Sequence, residues 1–179
     1  TGNASPSQSI TFTLDTTAAA PIVTLTNDTG LSNTDRITND AALTVKAEDG
    51  ALIEYSSDGN TWSTGVPMAA AGLNTVYVRQ TDKAGNVSAA TSFSFTLDVG
   101  TPAAPSVSLA ADTGLNTTDL ITNNGTVNVQ TEAGGLAEYS TDGMNWSTVQ
   151  PASVEGSNTL LVRQTDVAGN QSTTTSFHF

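Results

Sequence analysis

Along residues 21–97, apolar side chains recur at every second position in short runs. Val23 and Leu25 alternate with threonines, as do Leu43 and Val45; Ile53 and Tyr55 follow, then Val76 and Val78, then Phe93, Phe95 and Leu97. A period of two turns one face of an extended chain to a core and the other to water, so each run predicts a half-buried strand. Asp49-Gly50, Ser57-Asp58-Gly59-Asn60 and Ala84-Gly85-Asn86 separate the runs with residue types that turn readily. The pattern recurs in register over residues 105–179. The expected fold is therefore all-β: two tandem immunoglobulin-like β-sandwich domains of about seven strands each, in an elongated arrangement.

The recurrence is a duplication. A shift of 84 positions aligns Pro21–Phe95 with Pro105–Phe179 without a gap, and 41 of the 75 positions are identical. DTGL begins at Asp28 and Asp112, ITN at Ile37 and Ile121, EYS at Glu54 and Glu138, VRQTD at Val78 and Val162, and AGN at Ala84 and Ala168. The period exceeds that of solenoid units, so each copy is expected to be a small domain of its own. Gly2-Asn3 followed by SITFTLD matches Gly85-Asn86 followed by SFSFTLD. Residues 1–14 therefore read as the last strand of a preceding repeat, 15–98 as repeat 1 and 99–179 as repeat 2, a stretch of a longer array.

Composition narrows the function. The 179 residues carry 17 acidic and 5 basic side chains, a net charge of −12, and 12% of residues are charged. Such a field repels nucleic acid and anionic membranes, and no run is apolar enough to insert in a bilayer. With no cysteine, neither disulfides nor thiolate metal sites can staple the fold, which leaves hard cations as one remaining staple. The sole histidine, His178, stands opposite Ser94 of the other copy, and neither a phosphate-cradling glycine loop nor a nucleophile elbow is present. An enzyme is not expected, and the anionic surface favours a monomer.

The placement of the carboxylates gives them meaning. In an immunoglobulin-like sandwich, Glu48 and Asp82 fall in loops that return to the N-terminal pole, where the incoming linker brings Asp15; Asp98, Glu132 and Asp166 are the second set. Three converging anions repel unless a cation or water separates them, and oxygen-only ligands suit calcium. A calcium ion there would clamp the linker to the next domain. A second candidate lies in DTGLSNTD, with Asp28 and Asp35, and in DTGLNTTD, with Asp112 and Asp119. The alternative for these four is plain turn capping and solvation.

AP-x-V-x-L, DTG-x5-D-x-IT, the YS-x-DG-x2-WS hairpin and VRQTD-x-AGN, in this order through essentially the whole chain, resemble the bacterial immunoglobulin-like stalk repeats of giant adhesins. The resemblance implies export by type I secretion, a place outside or on the surface of a Gram-negative bacterium, and calcium at the junctions of a rod. It implies neighbouring repeats as partners, with any host surface or glycan met through other parts of the adhesin. The competing function is a ligand-binding module that recognises a host glycan or protein through its loops. Divergence between the copies is scattered rather than gathered on one loop surface, which suits a spacer.

Overall fold

The computed structural model describes every residue, Thr1–Phe179. Repeat 1 holds β1 (Ile22–Leu25), β2 (Ile37–Thr38), β3 (Leu43–Lys46), β4 (Leu52–Ser56), β5 (Gly72–Thr81) and β6 (Thr91–Leu97). Repeat 2 holds β7 (Ser106–Leu109), β8 (Val127–Gln130), β9 (Leu136–Ser140), β10 (Thr159–Thr165) and β11 (Thr175–His178). There is no helix. Each repeat has a two-stranded sheet, β1-β3 or β7-β8, and a larger one, ordered β2-β6-β5-β4 or β11-β10-β9. The all-β tandem expected from the alternation is what forms.

Fewer strands form than the expected seven per repeat, and one reason is local. After the Asp58 and Asp142 turns the chain makes single bridges, Tyr55 to Ser63 and Tyr139 to Ser147, and then meets Pro67 or Pro151. A proline has no N–H to continue a ladder. β2 pairs parallel with β6, Ile37 beside Thr96 and Thr38 beside Leu97. In repeat 2, Ile121 is exposed beside a cleft of about 600 Å³ that Leu120, Val154 and Phe179 also line. The strand expected within residues 1–14 does not form here either. Ile10, Phe12 and Leu14 stand exposed.

Two compact units divide the chain. One comprises Thr1–Val23, Val45–Pro67 and Val76–Phe93; the other comprises Thr24–Thr44, Met68–Thr75 and Ser94–Phe179. In the first, β4 pairs antiparallel with β5 and sets Glu54 opposite Arg79. Arg79 Nε donates to Glu54 Oε2 at 3.0 Å while its guanidinium lies 4.2 Å over the Trp62 ring. In the second, the same register sets Arg163 on Glu138 at 3.0 Å and over Trp146 at 4.2 Å. These cross-strand pairs lie outside the core, each worth at most about 1 kcal/mol. The stacking also accounts for the tryptophans: each covers an arginine stem and its charge.

The opposite parity is the core. Leu109, Val127, Leu160 and Val162 are buried together in repeat 2, with Val107, Val129, Tyr139, Phe177 and Phe179 packed on them. In repeat 1, Val76, Val78, Phe93, Phe95 and Leu97 are buried. The core parity of β5 and β10 continues into polar residues: Gln80 and Gln164, then Asp82 and Asp166 just beyond the strands, are buried as well.

The Asp-Gly hairpins show how the acidic residues shape turns. Asp58 Oδ1 accepts from the N–H of Thr61 at 2.7 Å, from that of Asn60 at 2.8 Å and from Ser56 Oγ at 2.8 Å. Asp142 repeats this with Asn145, Met144 and Ser140. These donors hold both carboxyls well below the usual carboxylate range, led by the N–H of Thr61 and of Asn145 respectively. A depressed folded pKa contributes stability that is present above the unfolded value of 3.8 and is lost as pH falls through the folded one. Melting temperature is therefore expected to drop as pH falls below about 4, and less steeply in the double variant Asp58→Asn, Asp142→Asn. Calorimetry across acid pH checks this; equal slopes would contradict it.

Candidate functional site

The linker entering each sandwich is gripped by side chains, and the central one was not singled out from sequence. Gln80 is 1% exposed. Its Nε2 donates to the carbonyl of Ala19 at 2.6 Å and to Glu48 Oε1 at 3.2 Å, and its Oε1 accepts the N–H of Glu48 at 2.8 Å. Glu48 Oε1 in turn accepts the N–H of Ala19 at 2.7 Å. One glutamine and one glutamate thus satisfy both backbone groups of a linker residue. Gln164 repeats the grip, donating to the carbonyl of Ala103 at 2.6 Å and accepting from the N–H of Glu132 at 2.9 Å. The signal was present in VRQTD: a polar residue at core parity, kept in both copies, must have buried partners.

The turn after β5 supplies the second grip. Asp82 Oδ1 accepts the N–H groups of Ala84 and Asn86, both at 2.8 Å, and Oδ2 accepts Asn86 Nδ2 at 2.8 Å. The Asn86 amide, ahead of the backbone donors, keeps the Asp82 carboxyl ionised below its ordinary range, while burial opposes the shift. Asn86 Nδ2 also reaches the carbonyl of Asp15 at 3.1 Å. In repeat 2, Asp166 holds the N–H and Nδ2 of Asn170, each at 2.8 Å, and Nδ2 reaches the carbonyl of Asp98 at 2.9 Å.

On the first linker Glu48 Oε1 meets Ala19, and the Asn86 amide held by Asp82 meets the Asp15 carbonyl; on the second the Asn170 amide held by Asp166 meets the Asp98 carbonyl, while the exposed Glu132 takes part through its backbone N–H on Gln164. Asp15 Oδ1 accepts the N–H of Thr17 at 3.3 Å, and Asp98 Oδ1 that of Gly100 at 2.8 Å. No three acidic or histidine side chains are grouped closely enough to share an ion. The expected mutual repulsion is relieved by N–H donors.

The DTGL loops differ in one respect. Asp28 Oδ2 accepts the N–H of Arg36 at 3.0 Å, and Asp112 Oδ2 that of Leu120 at 3.0 Å. Arg36 and Leu120 both sit at φ 61°, a left-handed conformation that side chains resist, so these carboxylates hold a strained corner. Asp35 and Asp119 cap the N–H groups of Ile37 and Ile121. Yet Asp28 Oδ1 and Asp112 Oδ1 are buried without any hydrogen-bond partner.

Within the second compact unit the Asp28 loop lies against the AGN turn of repeat 2. Thr29 Oγ1 donates to the carbonyl of Ala168 at 2.7 Å, the N–H of Leu31 to that of Val167 at 3.3 Å, and Asn39 Nδ2 to Asn170 Oδ1 at 3.3 Å. Gly30 and Gly169 face each other at this contact: a Cβ on Gly30 would strike the Val167 carbonyl, and one on Gly169 would lie 3.0 Å from the nitrogen of Gly30.

Small sandwiches in tandem, each gripping the linker that enters it, define immunoglobulin-like modules joined in series. Models of the bacterial Ig-like domain match residues 17–99 and residues 104–179, and the chain belongs to that family as two such domains. Among curated proteins nothing matches it. Among solved structures it is similar to fibronectin(III)-like modules of Clostridium thermocellum CbhA, at 16% identity and a TM-score of 0.45, over 76% of this chain and 80% of that one.

The grip predicts a large effect from a residue outside any hydrophobic cluster. Gln80→Leu would leave the Glu48 N–H and the Ala19 carbonyl without partners, and is expected to cost about 3 kcal/mol in urea unfolding. A cost near zero would show that the grip is dispensable.

Proposed function

We propose that the chain is a non-catalytic spacer, a segment of the stalk of a large bacterial surface adhesin, with calcium stiffening the junctions between its repeats. The observation that carries the spacer reading is the duplicated linker grip. A binding module has no need to bury a glutamine against its own linker twice, whereas a load-bearing series of domains does. The resemblance of the repeat motifs to adhesin stalks supports export by type I secretion and a place on the cell surface, with adhesion and biofilm formation as the roles served. The partners of these repeats are their neighbours in the same chain.

For calcium, the donor chemistry is suitable: carboxylates, carbonyls and hydroxyls, with no thiolate and no nearby imidazole. The unpartnered buried oxygens of Asp28 and Asp112 support a cation at the DTGL loops. Leaving such an oxygen bare is costly, and a hard cation would satisfy it. Asp35 and Asp119 are the companion carboxylates there. At the linkers, Glu48 with Asp15 and Asp82, and Glu132 with Asp98 and Asp166, would hold an ion alongside the N–H donors that all of them but Glu132 already bind. A bound ion would supply positive charge that ties loop to loop.

Calcium at about 100 times its dissociation constant would stabilise the folded chain by about 2.7 kcal/mol per site. A rise in melting temperature on adding calcium, reversed by chelator and reduced in the double variant Asp28→Asn, Asp112→Asn, is the expected result. An identical melting curve in calcium and chelator would remove the ion from the account.

A further inference from the structure

We propose that the Asp28–Leu31 loop with Asn39, and the Val167–Asn170 turn, are two halves of a head-to-tail latch that orders adjoining repeats without a cation, and that the partner each half fits is another repeat of this kind. The latch's use in an array rests on the stalk reading above; its geometry does not.

Every group that meets across the contact is neutral: a threonine hydroxyl, two backbone carbonyls, a backbone N–H and two asparagine amides. Such bonds are insensitive to salt and chelator. Asn170 is the hub, because its Nδ2 holds the linker carbonyl of Asp98 and the Asp166 carboxylate while its Oδ1 accepts from Asn39. Orientation of the preceding repeat is thereby tied to the linker grip.

The duplication provides a comparison inside the chain. Repeat 2 presents the loop half again, with Thr113 Oγ1 3.0 Å from Asn123 Oδ1 and accepting the N–H of Asn123 at 2.8 Å. Thr29 and Asn39 have the same arrangement, at 2.9 and 2.8 Å, so the loop is built before it engages. A hydroxyl has one proton to give; engagement lets it turn to the Ala168 carbonyl. Repeat 1 presents the turn half again, with Asn86 held on Asp82 as Asn170 is on Asp166. Val167 accepts the Leu31 N–H through its backbone carbonyl, a group that Lys83 at the equivalent position also carries. Engagement also buries surface: Ala168 is fully buried and Ala84 is exposed.

The glycines separate latch from backbone strain. Gly30, Gly114, Gly85 and Gly169 all have positive φ, so alanine is strained at each. A Cβ would collide with the neighbouring repeat at Gly30, whereas at Gly114 and Gly85 it would meet nothing within 4 Å. Gly30→Ala therefore adds a collision to the strain, and Gly114→Ala adds strain alone.

Because the chain lacks cysteine, nitroxide labels can be placed at Thr24→Cys and Ser108→Cys, both exposed, and their separation measured by pulsed electron paramagnetic resonance in chelator. The labelled chain and its Gly114→Ala variant are expected to give one narrow distance peak. Gly30→Ala should lose that peak, as should Thr29→Val, which carries no φ strain. A broad distribution in chelator that narrows only with calcium would overturn the latch while supporting calcium stiffening. A narrow peak that calcium leaves unchanged would support the latch and count against the calcium reading. Equal, narrow peaks for Gly30→Ala and Gly114→Ala would also overturn the latch.

Discussion

The structure depends on one buried amide in each repeat. A glutamine side chain sealed at the end of a sandwich must have every donor and acceptor satisfied, or it costs more than it contributes. Gln80 and Gln164 meet that demand with backbone groups of the linker and of the loop that follows β3 or β8. Satisfying the side chain and positioning the linker are therefore the same act. That couples the interior of each domain to the segment that enters it, and it works without a helix, a disulfide or a large apolar interface.

The acidic excess reads differently in this light. Sequence alone suggested crowded anions awaiting a cation. In the fold most of these carboxylates act as turn organisers: Asp58 and Asp142 in the hairpins, Asp82 and Asp166 at the AGN turns, Asp28 and Asp112 at strained corners. An aspartate accepting two or three N–H groups replaces, within a few residues, the ladder bonds a loop lacks. Charge remains on the surface, but much of its work is local. The residual oxygens on Asp28 and Asp112 are where local work leaves something over.

Strand positions were legible because alternation of Val, Leu, Ile and Phe is a direct consequence of burying one sheet face, and the Glu54–Arg79 pair followed from register. What alternation could not reveal is whether a short run finds a partner: after the Asp58 and Asp142 turns only the single bridges to Ser63 and Ser147 form. At the candidate site the sequence singled out Glu48, Asp82 and Asp166 as ion ligands, and in the fold they accept N–H and amide donors of the linker and its turns. It missed Gln80 and Asn86 because charge drew attention away from neutral amides, although Gln80 sits at core parity. The meeting of the DTG and AGN motifs was not visible either, since it joins residues 139 apart, Thr29 and Ala168, through backbone carbonyls that carry no side-chain signature.

The central claim is that the linkers are held by the domains they enter. Backbone nitrogen-15 relaxation of residues 16–20 and 99–104, proline excepted, tests it directly. The account predicts order parameters near those of the strands, about 0.85, in chelator as well as in calcium. Values below about 0.6 in both conditions would describe a free tether and contradict it.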